Sequence, residues 1–224
     1  DRPRPGMLRV TRLTDYATVV LTVLAVEPHR VLSAAELAER AGADREAFWA
    51  EQSRELLPWA TDFSEVLDWS EAPFARWFAD GEINASYACL DQHVEAGRGD
   101  EVAIHWVGEP EGDRRDLTWS DLLEETCRAA NVLEDLGVQA GDRVAIYLPM
   151  IPEAAISMLA CARVGAAHSV VFGGFAPAEL AVRIDDARPK VVISASCGLE
   201  GQRVIEYKPM LDRALDIAEH APDA

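Results

Sequence analysis

The second half of the chain alternates short apolar stretches with longer amphipathic ones. The apolar stretches favour β-strands because they are short and rich in β-branched residues. The amphipathic stretches are typical of helices, and Pro152 and Pro177 stand at the first turns of two of them. The pattern predicts strands at residues 143–148, 168–172 and 190–194 and helices at residues 152–164, 177–187 and 207–220.

Strands that are apolar on both faces imply a parallel sheet with helices on both sides. The sequence therefore predicts an α/β fold built from β-α-β units. Right-handed crossovers place the carboxyl ends of successive strands at one edge of the sheet. The loop Gly173-Gly174-Phe175 and the loop at residues 196–203 follow two of these strands, so both should open at that edge. Ligands of open α/β sheets bind there.

The residues before this sheet divide into stretches of different character. Asp44 is expected to begin a helix, and four of the six tryptophans lie between residues 49 and 77 without periodicity, which is typical of a segment that wraps over a larger domain. From residue 101, two short strands and a helix capped by Ser120 are predicted. We expect a partial winged-helix-like, helix-turn-helix segment at residues 1–43, a wrapping segment at residues 44–100 and the first, truncated α/β part of a larger domain at residues 101–224.

The net charge changes sign near residue 43. The first 43 residues carry six Arg and five acidic residues, whereas residues 44–224 carry a net charge of −19. Such an acidic surface repels phosphate backbones and makes nucleic-acid binding by residues 44–224 unfavourable.

Within the first 43 residues, Thr14 and Ser33 are good caps for two short helices, and Ser33 with Glu36 forms a capping box.

The chain lacks the patterns of membrane and secreted proteins. No apolar run approaches the roughly 20 residues of a membrane span, and no signal-peptide cleavage pattern is present. The four cysteines lie far apart, which argues against a disulfide framework or a zinc ribbon. Cys89 and His93 alone make at most half of a metal site. We expect a cytoplasmic protein with no membrane partner and no metal ligands.

The loops at the carboxyl edge hold the strongest candidate binding residues. Gly173 and Gly174 would let a flat ring or a phosphate approach the backbone, and the Arg203 guanidinium suits a phosphate. The alternative is that this turn needs glycine only for packing, and the residues alone leave both possibilities open. No nucleophile elbow, Walker A loop or zinc-protease motif occurs, so no catalytic residue is assigned.

A series of motifs runs through the chain from residue 48 to residue 175. The motifs are Phe48-Trp49-Ala-Glu51, Trp69-Ser70, Pro73-Phe-Ala-Arg-Trp-Phe78, Gly81-Glu-Ile-Asn84, Cys89-Leu-Asp91, His93, Gly141-Asp-Arg-Val144, Leu148-Pro-Met-Ile-Pro-Glu153, Ala160-Cys-Ala-Arg163 and His168-Ser-Val-Val-Phe-Gly-Gly-Phe175. Together they resemble AMP-forming acetyl-coenzyme A synthetases and their propionyl relatives, within the adenylate-forming superfamily, over residues 44–224. The resemblance implies a ligase that uses ATP and Mg²⁺ to activate acetate or propionate and transfers the acyl group to coenzyme A.

The resemblance also implies a coenzyme A site. Its residues would be Phe172, Gly173, Gly174, Glu200, Gly201, Gln202 and Arg203. In the family, the first three pack against the adenine and the last four meet the phosphorylated ribose. Glu200 stands where the family has arginine, which favours the propionate branch. The family's Gly-rich phosphate loop, acyl pocket and catalytic lysine have no counterpart here, so we expect the ATP and Mg²⁺ sites to lie outside this chain and the fragment alone to be inactive.

Residues 7–42 show a different resemblance. Leu32-Ser-Ala-Ala-Glu-Leu-Ala-Glu-Arg-Ala-Gly42 and the stretch from Met7 to Ala17 resemble the start of an Rrf2-type winged-helix regulator, without its recognition helix or cluster cysteines. Three interpretations therefore follow. The chain is the N-terminal portion of an acyl-coenzyme A synthetase, a fragment of a DNA-binding transcriptional regulator, or a non-catalytic interaction module.

Overall fold

The computed structural model describes Gly42, residues 44–201 and residues 203–224. The chain divides into two compact units, residues 1–83 and residues 84–224. The helix-turn-helix predicted within residues 1–43 lies outside the described residues, apart from Gly42. In the described part of the chain, no helix combines the length and the apolar character needed to cross a lipid bilayer.

The described part of the first unit begins with helix α1, Arg45–Leu56. The Asp44 carboxylate accepts a hydrogen bond from the amide of Ala47 at 2.9 Å and so caps the first turn. The helix start predicted at Asp44 is confirmed. After α1, strands β1 (Leu67–Asp68) and β2 (Arg76–Trp77) pair in the antiparallel direction.

The aromatic side chains of this unit pack mainly on one another. The ring centroids of Phe63 and Phe78 lie 4.4 Å apart, and Trp59 meets these two rings edge-on at 5.2 and 5.6 Å. Such edge-to-face pairs add to the stabilisation from burial. Trp69 and Phe74 stay largely exposed. The aromatic stretch therefore forms a small core of its own within the first unit.

The second unit opens with short helical segments and a hairpin. The segments are α2 (Ala85–Cys89), α3 (Asp91–His93) and a π-helical turn (Val94–Arg98). Strands β3 (Val102–Val107) and β4 (Arg114–Thr118) follow and pair in the antiparallel direction. Both strands predicted in this region are confirmed.

Helix α4 spans Trp119–Asp135 and begins before its predicted cap. The Thr118 hydroxyl accepts a hydrogen bond from the amide of Asp121 at 3.1 Å, and the Asp121 carboxylate accepts one from the Thr118 amide at 3.0 Å. This reciprocal arrangement is a capping box. The cap predicted at Ser120 is wrong, because Ser120 already lies in the first helical turn.

Three parallel strands form the sheet of the second unit. They are β5 (Arg143–Tyr147), β6 (Ala167–Val170) and β7 (Val191–Ser194). Their spatial order is β6-β5-β7, with β5 in the centre. The helices that follow these strands are α5 (Pro152–Arg163), α6 (Pro177–Ala187) and α7 (Tyr207–Ile217). The predicted β-α-β pattern is confirmed.

Helices cover both faces of this sheet. Val144 and Ile146 of β5 share one core cluster with Leu133 of α4 and Cys161 of α5. On the other face, Tyr147 shares a second cluster with residues of α6 and α7. Alternate residues of one strand thus serve two separate cores, as expected for a parallel sheet buried on both sides.

The stretch after β7 differs from its prediction as a loop. Strands β8 (Gly198–Glu200) and β9 (Arg203–Ile205) pair in the antiparallel direction, and Glu200 lies opposite Arg203. Gly201 has a φ of 59°, in the left-handed region where a side chain is strained. Short strands of mixed polarity give little periodic signal, so the sequence did not indicate this hairpin.

Candidate functional site

The loop between β6 and α6 leaves the carboxyl edge of the sheet. The amide of Val171 still donates a hydrogen bond to the Ile146 carbonyl at 2.8 Å, so pairing continues one residue beyond β6. The Phe172 side chain, 71% exposed, follows immediately. Gly173 and Gly174 come next, before α6 begins. The loop therefore presents an exposed aromatic ring and two glycines at the edge where a ligand was expected.

Packing accounts for the absence of a side chain at Gly173. The Tyr207 hydroxyl occupies the space that a Cβ of residue 173 would need, and the Tyr207 Cζ atom would lie only 2.8 Å from that Cβ. Residue 174 differs, since a Cβ there would meet the ring of Phe172 instead. Gly174 is itself exposed, whereas Gly173 is half-buried, so Gly174 is the glycine whose backbone is open to a ligand.

Two buried tyrosines lie beneath this loop. The Tyr147 hydroxyl is within hydrogen-bond distance of the carbonyls of Phe175 and Gly173, at 3.1 and 3.4 Å. The rings of Tyr147 and Tyr207 have centroids 4.9 Å apart. Burial raises the pKa of both phenols. The charge of Tyr207 raises the pKa of Tyr147 further by a smaller amount, and the charge of Glu200 does the same for Tyr207. Both hydroxyls therefore stay protonated at neutral pH and can donate.

The hairpin β8–β9 also approaches Tyr207. A Cβ on Gly198 would lie 2.9 Å from Cε2 of Tyr207, so this hairpin also packs on that ring. At the turn, the amide of Gly201 donates a hydrogen bond to Glu109 Oε2 at 3.1 Å. The Glu109 contact fixes the turn from the loop between β3 and β4. Gln202 lies outside the described residues.

A groove of about 380 Å³ runs beside the hairpin. Its lining residues are Pro177, Arg203, Val204, Ile205, Glu206, Pro209, Met210 and Arg213. Two guanidinium groups thus border one groove, against the single carboxylate of Glu206. This composition suits an anionic group that is held by charge and by bidentate hydrogen bonds.

The structure brings the two predicted segments to one edge. Gly173 and Gly198 both pack against Tyr207. The groove bordered by Arg203 also includes Pro177, the first residue of α6 after the glycine loop. Sequence reasoning missed Tyr147 and Tyr207. The sequence does indicate Tyr147, because it places a hydroxyl-bearing residue at the end of an otherwise apolar strand, and a buried tyrosine hydroxyl needs a hydrogen-bond partner.

Two histidines away from this edge make local contacts. His105 Nδ1 lies 2.8 Å from the Asp116 carboxylate across the β3–β4 hairpin, where both side chains are exposed. The His93 ring packs on Trp119, with centroids 4.2 Å apart. Within residues 44–201 and 203–224, no three His, Cys, Asp or Glu side chains are grouped so that they could hold a metal ion.

Comparison with known proteins assigns the chain to a family. The family model described as AMP-binding enzyme matches residues 90–222. A second model, described as the N-terminus of acetyl-coenzyme A synthetase, matches residues 34–89. The two matches adjoin, so together they cover the chain from residue 34 to residue 222.

Individual relatives are similar over most of this chain. An acetyl-coenzyme A synthetase from Mycobacterium bovis is 61% identical over 181 residues, which are 81% of this chain and 28% of that protein. The corresponding protein of Streptomyces coelicolor is 58% identical over 83% of this chain and 29% of its own length, and that of Laribacter hongkongensis is 47% identical over 80% and 27%. This chain thus spans less than a third of the length of these relatives. By these matches it belongs to the AMP-binding enzyme family and carries the N-terminal region of its acetyl-coenzyme A synthetases.

Proposed function

We propose that this chain is the N-terminal portion of an AMP-forming synthetase that activates acetate or propionate. In the reaction, a carboxylate oxygen attacks the α-phosphorus of ATP, which gives an acyl-adenylate and releases pyrophosphate. The thiol of coenzyme A then attacks the acyl carbonyl, loses its proton and displaces AMP. The proposal is supported by the two matching family models and by relatives that are named acetyl-coenzyme A synthetases.

The contribution that we assign to this chain is the binding of coenzyme A. One observation carries the assignment: the glycine loop and the β8–β9 hairpin meet at Tyr207, at the carboxyl edge of the parallel sheet. The exposed ring of Phe172 and the open backbone at Gly174 suit the flat adenine. Arg203, at the groove, suits the ribose phosphate.

Glu200 gives this site an unusual electrostatic character. It lies directly opposite Arg203 in the hairpin, where the family resemblance expects a second arginine. The repulsion between this carboxylate and a partly screened phosphate should weaken the affinity for coenzyme A by about a factor of five. Arg213, which also lines the groove, is a second cation that could offset this repulsion.

Calorimetric titration with coenzyme A tests the site. Arg203→Ala should weaken binding about tenfold, because a charge-assisted hydrogen bond to the phosphate is lost. Arg128→Ala is the matched control, since it removes an exposed guanidinium that pairs with Glu124 on α4. With 3′-dephospho-coenzyme A, wild type and Arg203→Ala should bind equally. Equal binding of coenzyme A itself by all three proteins would refute the assignment of Arg203.

The proposed reaction should be assayed on the cellular protein that contains these residues. AMP formation from ATP and Mg²⁺ should require both a short carboxylate and coenzyme A, and acetate should be compared with propionate. AMP formation that needs neither would refute the proposed activity. We further propose that its partners are small molecules in the cytoplasm and that it does not bind nucleic acid, because the net charge of residues 44–224 disfavours a phosphate backbone.

A further inference from the structure

The Tyr147 side chain hydrogen-bonds to the glycine loop from below. Tyr147 closes strand β5, is fully buried, and directs its hydroxyl toward the loop that follows β6. A phenol has one proton, so the hydroxyl donates to the Phe175 carbonyl at 3.1 Å and only weakly, or alternately, to the Gly173 carbonyl at 3.4 Å. These two carbonyls bracket Gly174. The Gly173 carbonyl belongs to the peptide unit before Gly174 and the Phe175 carbonyl to the peptide unit after Phe175, so one hydroxyl contacts the loop on both sides of Gly174.

The remainder of the loop is also held in place. The amide of Phe175 donates to the Phe172 carbonyl at 3.1 Å, which closes a turn around the two glycines. The Arg183 guanidinium lies 3.9 Å from the centroid of the Phe175 ring, so α6 holds this ring from one side. Glycine has the widest conformational freedom of any residue, and a loop with two of them needs such fixation to keep one conformation.

We propose that Tyr147 is a positioning residue that sets the affinity for coenzyme A by holding the backbone around Gly174 in its binding conformation. The inference rests on the proposed function. Tyr147 does not reach the ligand, because it is enclosed in the core with Leu180 and Tyr207. Its effect passes through the loop carbonyls. Without the hydroxyl, the loop samples further conformations, and binding must select the competent one.

The test is Tyr147→Phe in the full chain, which removes one oxygen and keeps the ring. Hydrogen exchange of the amides at residues 173–175 should become faster. The dissociation constant for coenzyme A, measured by calorimetry, should rise about fivefold, the equivalent of one net hydrogen bond. Tyr87→Phe is the matched control, because it also removes a phenolic donor, here bonded to Glu95 at 2.6 Å, away from the loop. It should change neither quantity.

A second control separates positioning from stability. Ile146→Val, in the same strand, lowers core packing without removing a loop contact. It should lower the melting temperature and leave coenzyme A affinity unchanged. If Tyr147→Phe leaves loop exchange or affinity unchanged while wild type binds coenzyme A, the positioning role is wrong and the proposed function survives. If wild type shows no binding of coenzyme A, the proposed function fails first and the inference fails with it.

Discussion

Both oxygens of the Asp91 carboxylate accept hydrogen bonds from the Arg163 guanidinium, at 2.9 and 2.6 Å. Arg163 ends helix α5, whereas Asp91 begins α3, 72 residues earlier in the chain. Beside this pair, the Asn84 side-chain amide donates to the carbonyls of Ala162 and Arg163 and its oxygen caps α2. One cluster thus joins the start of the second unit to the end of α5.

Asp91→Ala should destabilise the protein by about 2 kcal/mol, as expected for paired hydrogen bonds to a charged group that is mostly shielded from water. Urea denaturation followed by circular dichroism measures the loss. The matched control is Asp212→Ala, which removes an exposed carboxylate from an i,i+4 pair with Lys208 and should change stability by less than about 0.5 kcal/mol. Equal losses in the two variants would contradict the role given to the Arg163 pair.

The two loop glycines should respond differently to alanine. Gly173→Ala should cost about 1–3 kcal/mol of unfolding free energy, because its Cβ would collide with the buried Tyr207. Gly174→Ala should cost a fraction of that, since the exposed Phe172 ring can rotate away. Thermal denaturation of both variants measures the difference.

A double variant checks the cause of the Gly173 effect. Gly173→Ala combined with Tyr207→Phe should recover part of the loss, because the hydroxyl no longer fills the space of the new methyl group. Additive losses would show that Tyr207 is not the neighbour responsible.

Sequence patterns predicted the parts of this fold that are periodic. The strands β5 and β7 are largely apolar on both faces, and α5 and α6 start at prolines, so the parallel sheet and its helices followed from local chemistry. The contacts that build the candidate site are of another kind. Glu109 meets Gly201 across 92 residues, and Tyr147 meets Phe175 across 28. Such contacts depend on the tertiary fold and leave no period in the sequence.

The correction at the start of α4 has a direct test. Thr118→Ala should lower the unfolding free energy by about 1 kcal/mol, because the hydroxyl that accepts from the Asp121 amide is lost, whereas the amide of residue 118 can still donate to the Asp121 carboxylate. Ser120→Ala, the variant at the cap predicted from sequence, should be nearly neutral. The Asp121 pKa is lowered, first by its hydrogen bond with the Thr118 side chain. The stabilisation from the Asp121 carboxylate is therefore present above the pKa that Asp121 has in the unfolded chain, and it is lost as the pH falls through the lower pKa of the folded protein. Thr118→Ala should weaken this pH dependence of stability.

The buried Cys161 thiol should react far more slowly than the exposed thiols. Burial raises the pKa of the Cys161 thiol to about 11, so about one molecule in a thousand carries the thiolate at pH 8. Cys89 and Cys197 are exposed. Treatment of the native protein with iodoacetamide at pH 8, followed by peptide mass spectrometry, should find both exposed thiols alkylated and Cys161 unmodified. In urea, where the core around Val144 and Ile146 is open, Cys161 should react at the rate of the others. Modification of Cys161 in native protein as fast as Cys197 would mean that α5 does not pack against the sheet as described.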